Sequence, residues 1–183
     1  METNLCVAGF GGQGVMTLGK FLASATCDST DKNVTFFPSY GAEQRGGTAN
    51  CFVVISDEAI GAPLGDVMDD LIVMNGPSLA KFLKTVKPGG RLFINSSIVD
   101  AKEIDRDDIT VVEAPVTELA LEMGNAKVLN VIMLGVYVGY TEVIAPEIVW
   151  ESVDHKLSSK PKRLPINKAA FVKGLESGRA AKA

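Results

Sequence analysis

Between positions 39 and 47 the sequence reads SYGAEQRGG, with an acid (Glu43), an amide (Gln44) and a cation (Arg45) set consecutively among glycines. The segment is too polar for a core and too glycine-punctuated for a helix, so these side chains belong on a loop. A guanidinium there can grip a carboxylate or a phosphate in bidentate fashion, and Glu43 can form directional ion pairs with a basic partner. Tyr40 adds a ring of the kind that anchors interfaces. Gly46 and Gly47 let a second backbone approach closely. The plainer alternative is that Glu43 and Arg45 pair with each other inside the chain and only stiffen the loop.

A second segment, GFGGQG from Gly9 to Gly14, fits the GxGxxG pattern directly after an apolar run and before a helical one. In that context glycines allow a tight turn, and the N–H groups of Gly11, Gly12, Gln13 and Gly14 can meet an anion at a helix N-terminus. A dinucleotide site also needs an Asp or Glu at the end of the second strand to hold the ribose. Here that strand ends Phe37-Pro38-Ser39, and Asp28 and Asp31 precede it. Bound NAD or FAD is therefore not expected. The glycines also have a packing reading, in which they only let the first helix approach the sheet and a neighbouring loop or subunit.

Other catalytic patterns are incomplete, and no catalytic residue is assigned. The single histidine, His155, lies beside Asp154 and Lys156 on an amphipathic pattern formed by Val149, Val153 and Leu157, which reads as a solvated position. The phosphate-binding GxxxxGK[ST] motif does not occur, because Gly19-Lys20 is followed by Phe21. Cys6, Cys27 and Cys51 are widely spaced, so neither a metal site nor iron–sulfur ligation is expected of this chain. Cys6 and Cys51 sit in apolar runs and read as small core residues. The acids Asp66, Asp69, Asp70, Asp105, Asp107 and Asp108 read as solubilising surface.

The elements that must position the two loops alternate between strand and helix. Leu5–Ala8 is a strand, and Val15, Leu18, Leu22 and Ala25 recur at helical spacing over Val15–Cys27. Asn33–Phe37 and Ala49–Ser56 are further strands flanking the polar loop, and Asp70–Asn75 is a fourth. A helix runs from Ser78, its expected cap, to about Val86, where Pro88-Gly89-Gly90 stops it. Arg91–Asn95 and Thr110–Glu113 complete the strands. Helices follow over Val116–Met123, Val128–Tyr140 and Pro146–Leu157, with Gly124 as a C-cap and Pro146 at a first helical position. Asn167–Glu176 is expected to be an exposed closing helix, with a frayed tail from about Gly178. Apolar strands alternating with helices imply an α/β fold whose mainly parallel sheet is covered on both faces. Both informative loops follow strands and so belong at the carboxyl edge, where such sheets meet their ligands.

At 183 residues, 46% hydrophobic and 22% charged, the chain has the balance of one globular domain, spanning residues 1–183. A net charge of −4 argues against a nucleic-acid binder, whose phosphate contacts need a basic face. Lys156 and the run Lys160–Arg163 form a basic cluster, but Pro161 and Pro165 give it the character of a solvated connection. Glu2 stands where a secretory signal would carry basic residues, and Val128–Tyr140 is too short to span a bilayer. A soluble cytoplasmic protein is expected, with no membrane partner.

Together GFGGQGV (9 to 15), FPSYGAEQRGGTANCFVVISD (37 to 57) and LIVMNGPSL (71 to 79) resemble the gamma subunit of the 2-oxoacid:ferredoxin oxidoreductases. The form SYGAEQRGGTAN is most similar to members acting on 2-oxoglutarate or branched-chain 2-oxoacids. The resemblance implies a Rossmann-like three-layer sandwich. It also implies an anaerobic multisubunit enzyme that decarboxylates a 2-oxoacid, 2-oxoglutarate in the first instance, to an acyl-CoA and CO2 while reducing ferredoxin. Thiamine diphosphate, magnesium and iron–sulfur clusters would then belong to partner chains, and CoA would be a substrate. The implied partners are the alpha and beta subunits, a ferredoxin-like delta subunit and ferredoxin. Gly11, Gly12, Gln13, Gly14, Tyr40, Glu43, Gln44, Arg45, Gly46 and Gly47 become candidates for a subunit interface or a CoA-facing wall. An isolated chain could pair with itself through the exposed apolar partner face. The rival reading is a free-standing nucleotide-binding protein that uses Gly9–Gly14 for a phosphate.

Overall fold

The computed structural model describes residues 1–40 and 48–183, Tyr40 by its backbone alone. Among these residues the strands are β1 (Glu2–Phe10), β2 (Asn33–Tyr40), β3 (Thr48–Ser56), β4 (Met68–Val73), β5 (Val86–Asn95) and β6 (Thr110–Ala114). The α-helices are α1 (Val15–Ser29), α2 (Gly76–Phe82), α3 (Val116–Glu122), α4 (Leu129–Thr141), α5 (Pro146–Leu157) and α6 (Leu164–Lys182). Short 3-10 turns lie at Leu83–Thr85, Ala101–Glu103, Ala126–Val128 and Pro161–Arg163.

The strands form one sheet in the order β2-β3-β1-β4-β5-β6. β1, β4, β5 and β6 pair in parallel, whereas β3 runs antiparallel to both of its neighbours. Two reversals restore direction, so β2 runs the same way as β1 and their carboxyl ends share one edge. The mainly parallel sheet is as expected. The reversed β3 is a consequence of the short connection from Tyr40 to Thr48, because a parallel return needs a crossover of a dozen or more residues.

Alternating side chains feed two apolar layers. Leu5, Val7, Cys51, Val53, Ile72 and Phe93 pack under α1, α4 and α5. Cys6, Ala8, Leu71, Val73, Leu92 and Ile94 pack under α2 through Leu79 and Phe82. Each valine, leucine, isoleucine or phenylalanine among them, fully withdrawn from water, contributes about 1.5–3 kcal/mol. Cys6 and Cys51 lie in these layers as expected, and burial pushes the Cys51 thiol up to about 12.

Three expectations are corrected. The helix after β4 begins at Gly76 with Asn75 as its cap, the Asn75 side chain accepting from the Ser78 N–H at 2.9 Å. Its last turn tightens at Leu83–Thr85, and β5 begins at Val86, so Pro88-Gly89-Gly90 lies inside a strand. The C-terminal helix is not exposed with a frayed end. It continues to Lys182 and buries Ala170, Phe171, Gly174, Leu175 and Gly178 against α4. Asp70, read as surface, is fully buried: Arg91 grips it through two bonds of 2.6 and 2.8 Å, and the Tyr137 hydroxyl donates to it at 2.8 Å. Burial pushes the Asp70 carboxyl up, against the pull of Arg91 and Tyr137. This cluster ties α4 to β4 and β5.

Candidate functional site

The glycine turn is built around one side chain. Phe10 ends β1, and the chain reverses so that the Gln13 N–H donates to the Phe10 carbonyl at 3.1 Å. The Gln13 side chain folds back over the same turn. Its Oε1 accepts from the Phe10 N–H at 2.7 Å and from Asn75 Nδ2 at 3.2 Å, and its Nε2 donates to the Met74 carbonyl at 3.0 Å. The turn is thereby clasped to the end of β4. Gly9 makes room for the clasp, since a Cβ there would lie 2.7 Å from Gln13 Oε1 and 2.9 Å from Val15 Cγ1.

The later glycines divide by role. Gly14 has a φ of 74° and caps α1 in the left-handed region, where a Cβ would meet Asn130 at 2.6 Å. Gly11 and Gly12 are exposed and have no atom within 4 Å of an added Cβ. Packing therefore explains Gly9 and Gly14, a φ of 97° calls for glycine at Gly12, and neither reason applies to Gly11. The Gln13 side chain is turned back onto Phe10, Met74 and Asn75. α1 starts without a side-chain cap, so its first-turn N–H groups keep their positive character.

A cleft of about 550 Å³ opens beside the turn, between the N-termini of α1 and α4. Gly12, Gly14, Thr17, Lys127, Asn130 and Arg163 contribute to its lining, which among the described residues contains no acid. α4 likewise begins without a side-chain cap. The Asn130 side chain is buried and donates from Nδ2 to the Gly14 carbonyl at 3.4 Å. Two uncapped helix starts with a lysine and an arginine make this cleft suited to phosphate or carboxylate groups. Lys127 and Arg163 were not legible as site residues. Arg163 stood in the basic cluster taken as a solvated connection, and nothing near Lys127 distinguishes it from a surface lysine. The signal available was the uneven distribution of basic residues in an acidic chain.

The strand ends that flank the polar loop stand at the same edge. Phe10 pairs with Thr48 and Tyr40 with Ala49, so the residues bracketing positions 41–47 stand beside the glycine turn. Glu43, Gln44, Arg45, Gly46 and Gly47 lie outside the described residues, as does the side chain of Tyr40.

Among the described residues, no group of three or more His, Cys, Asp or Glu side chains is arranged to hold a metal ion. Cys6 and Cys51 are buried in the sheet, Cys27 is exposed on α1, and His155 is exposed on α5, so these donors do not fit a cluster or a magnesium site. No described helix is long and apolar enough to cross a membrane.

The family model for pyruvate ferredoxin/flavodoxin oxidoreductases matches residues 4–177. The ketoisovalerate oxidoreductase subunit VorA of Methanothermobacter marburgensis is 37% identical over 179 residues, which are 97% of this chain and 36% of that one. The chain thus spans about a third of that relative's length. The 2-oxoglutarate synthase subunit KorC of Methanocaldococcus jannaschii is 31% identical over 178 residues, 96% of this chain and 94% of that one. A solved 2-oxoglutarate:ferredoxin oxidoreductase from Magnetococcus marinus, with 2-oxoglutarate, coenzyme A and succinyl-CoA bound, superposes with a TM-score of 0.90 at 26% identity. That match covers 98% of this chain and 31% of the other. With residues 4–177 matched by its model, the chain belongs to the pyruvate ferredoxin/flavodoxin oxidoreductase family.

Proposed function

We propose that this chain is the gamma subunit of a cytoplasmic, multisubunit 2-oxoacid:ferredoxin oxidoreductase of anaerobic metabolism that oxidatively decarboxylates 2-oxoglutarate to an acyl-CoA. It packs on the alpha and beta subunits, which carry the thiamine diphosphate, and contributes a wall that CoA faces. A ferredoxin-like delta subunit and ferredoxin itself take up the electrons on other chains. No step of the reaction is assigned to a metal or cofactor held by this chain, because its donors do not fit one.

The observation that carries the reading is the cleft beside the glycine turn, lined by Lys127 and Arg163. CoA is rich in phosphate, and two uncapped helix starts, Lys127 and Arg163 offer it positive charge at fixed positions. Gly11 and Gly12 expose backbone that a large ligand or a partner chain can approach closely. A second substrate reading, ketoisovalerate, is favoured by the higher identity to the VorA subunit, 37% against 31% for KorC.

Affinity purification from the native cells is expected to bring down thiamine-dependent subunits with a brown iron–sulfur absorbance. A 2-oxoacid panel on that complex then separates 2-oxoglutarate from ketoisovalerate. In the complex, Arg163→Ala and Lys127→Ala should each raise the KM for CoA about tenfold, the loss of one charge-assisted hydrogen bond, and leave the KM for the 2-oxoacid unchanged. A solitary, colourless chain whose melting temperature rises with NAD or FAD would overturn the reading in favour of a nucleotide-binding protein.

A further inference from the structure

We infer that Asn75 is a positioning residue for the candidate site, acting through Gln13 to set the shape of the Gly11–Gly14 turn. The inference rests on the reading of that turn as facing CoA or a partner chain. Asn75 itself is 1% exposed and touches neither.

The hydrogen bonds form a directional relay whose polarity is dictated at both ends by backbone groups. The Ser78 N–H at the start of α2 can only donate, so the oxygen of the Asn75 amide must face it, at 2.9 Å. The Asn75 nitrogen is thereby turned toward Gln13 and donates to Gln13 Oε1 at 3.2 Å. The Phe10 N–H, also a donor, reaches that same oxygen at 2.7 Å, while the Met74 carbonyl requires the Gln13 nitrogen and receives it at 3.0 Å. A flipped Gln13 amide would set donor against donor at both Phe10 and Asn75 and acceptor against acceptor at Met74. One arrangement satisfies every partner, and it holds Gln13 back over the turn.

The relay has no slack around it. Gly9 leaves the Gln13 amide its place only because it lacks a Cβ. The Phe10 N–H has its acceptor in Gln13, whose own N–H closes the turn on the Phe10 carbonyl. The orientation of Gly11 and Gly12 therefore follows from Gln13, through its backbone N–H on the Phe10 carbonyl and its side-chain amide on the Phe10 N–H. That amide depends on Asn75 for one of its three bonds. In a buried, low-dielectric setting such coupled bonds strengthen one another, and an unmet partner is costly.

Asn75→Ser separates this role from helix capping, since serine is a good N-cap but its side chain is one bond too short to reach Gln13. The expected result in the isolated chain is intact folding, with hydrogen exchange at Phe10 to Gly14 about tenfold faster and exchange in α4 unchanged. In the reconstituted complex the same variant should raise the KM for CoA about fivefold at nearly constant kcat, and Asn75→Gln should not restore it, because the longer side chain cannot meet Ser78 and Gln13 together. Unchanged exchange at Phe10 to Gly14 would overturn the relay. Faster exchange with an unaltered KM for CoA would support the relay and sink the CoA-facing reading of the turn. If the serine variant does not accumulate, Asn75→Asp, which keeps an acceptor for the Ser78 N–H but offers Gln13 no donor, provides the same two readouts, with the same outcomes deciding.

Discussion

Two groups of glycines in this chain have opposite surroundings. Gly135 and Gly139 on α4 face Gly174 and Gly178 on α6, and a Cβ added at Gly174 would lie 2.0 Å from the Ile132 carbonyl oxygen. At Gly178 it would lie 2.2 Å from the Val136 oxygen. Those glycines are consumed inside the chain, where they let two helix backbones touch. Gly11 and Gly12 meet nothing within 4 Å of an added Cβ. Only the second group has room left for something outside the chain. A glycine cluster thus becomes a candidate site when the fold leaves it unused.

The contrast is most sharply tested by alanine at one member of each group. Gly174→Ala should cost about 4 kcal/mol or more, because the atoms in the way are backbone and the helices must separate. Gly11→Ala should change stability by less than about 0.5 kcal/mol. Denaturant unfolding of the two purified variants measures both, and comparable losses would erase the distinction.

A smaller effect is expected at the cluster that locks α4 to the sheet. Asp70→Ala leaves Arg91 and the buried Tyr137 hydroxyl without their acceptor and should cost about 3–5 kcal/mol. Tyr137→Phe, which removes one hydrogen bond, should cost about 1 kcal/mol. If the seam between α4 and α6 held α4 by itself, Asp70→Ala would melt with the wild type.

The smallest effect lies at the opposite edge of the sheet and leaves both glycine groups untouched. Asp57 accepts from Lys32 and, at 2.8 Å, from the amino group of Met1. Lys32 first, and then the N-terminus, hold its carboxyl down from 3.8 to about 2. A carboxyl lowered by folding contributes stability that is full above 3.8 and is lost as pH falls through about 2. NMR titration should give the Asp57 midpoint near 2, and Lys32→Ala should move it up toward 3.8 without altering exchange in the glycine turn.

Legibility in the sequence followed the range of the interactions. The strand after Met1, the helix from Val15, the turn between them and the helix over Pro146–Leu157 all stood where local periodicity, glycine and proline put them. The wall of the cleft was not legible, since Lys127 and Arg163 reach it from segments far from the glycine turn. Gln13 is a candidate on the sequence alone, but the bonds of its side chain are not legible there, because its partners, Met74 and Asn75, lie more than 60 residues away. Asp70 sits between Asp69 and an apolar run, and only the arrival of Arg91 and Tyr137 separates it from its half-buried neighbour, which accepts from the Asn4 N–H and pairs with Lys87.

The sequence by itself determined an α/β chain with a glycine turn and a polar loop after its first two strands. Alternating apolar residues and punctuating glycines act within a few residues of one another, and so they specify which face of each element is buried. Tertiary structure alone decided that β3 runs backwards, that α6 joins α4 through bare backbone, and that the Gln13 amide turns inward on Asn75. Burial makes a polar group find a partner but does not say which one. That choice falls to whatever group the packed elements bring within hydrogen-bond distance.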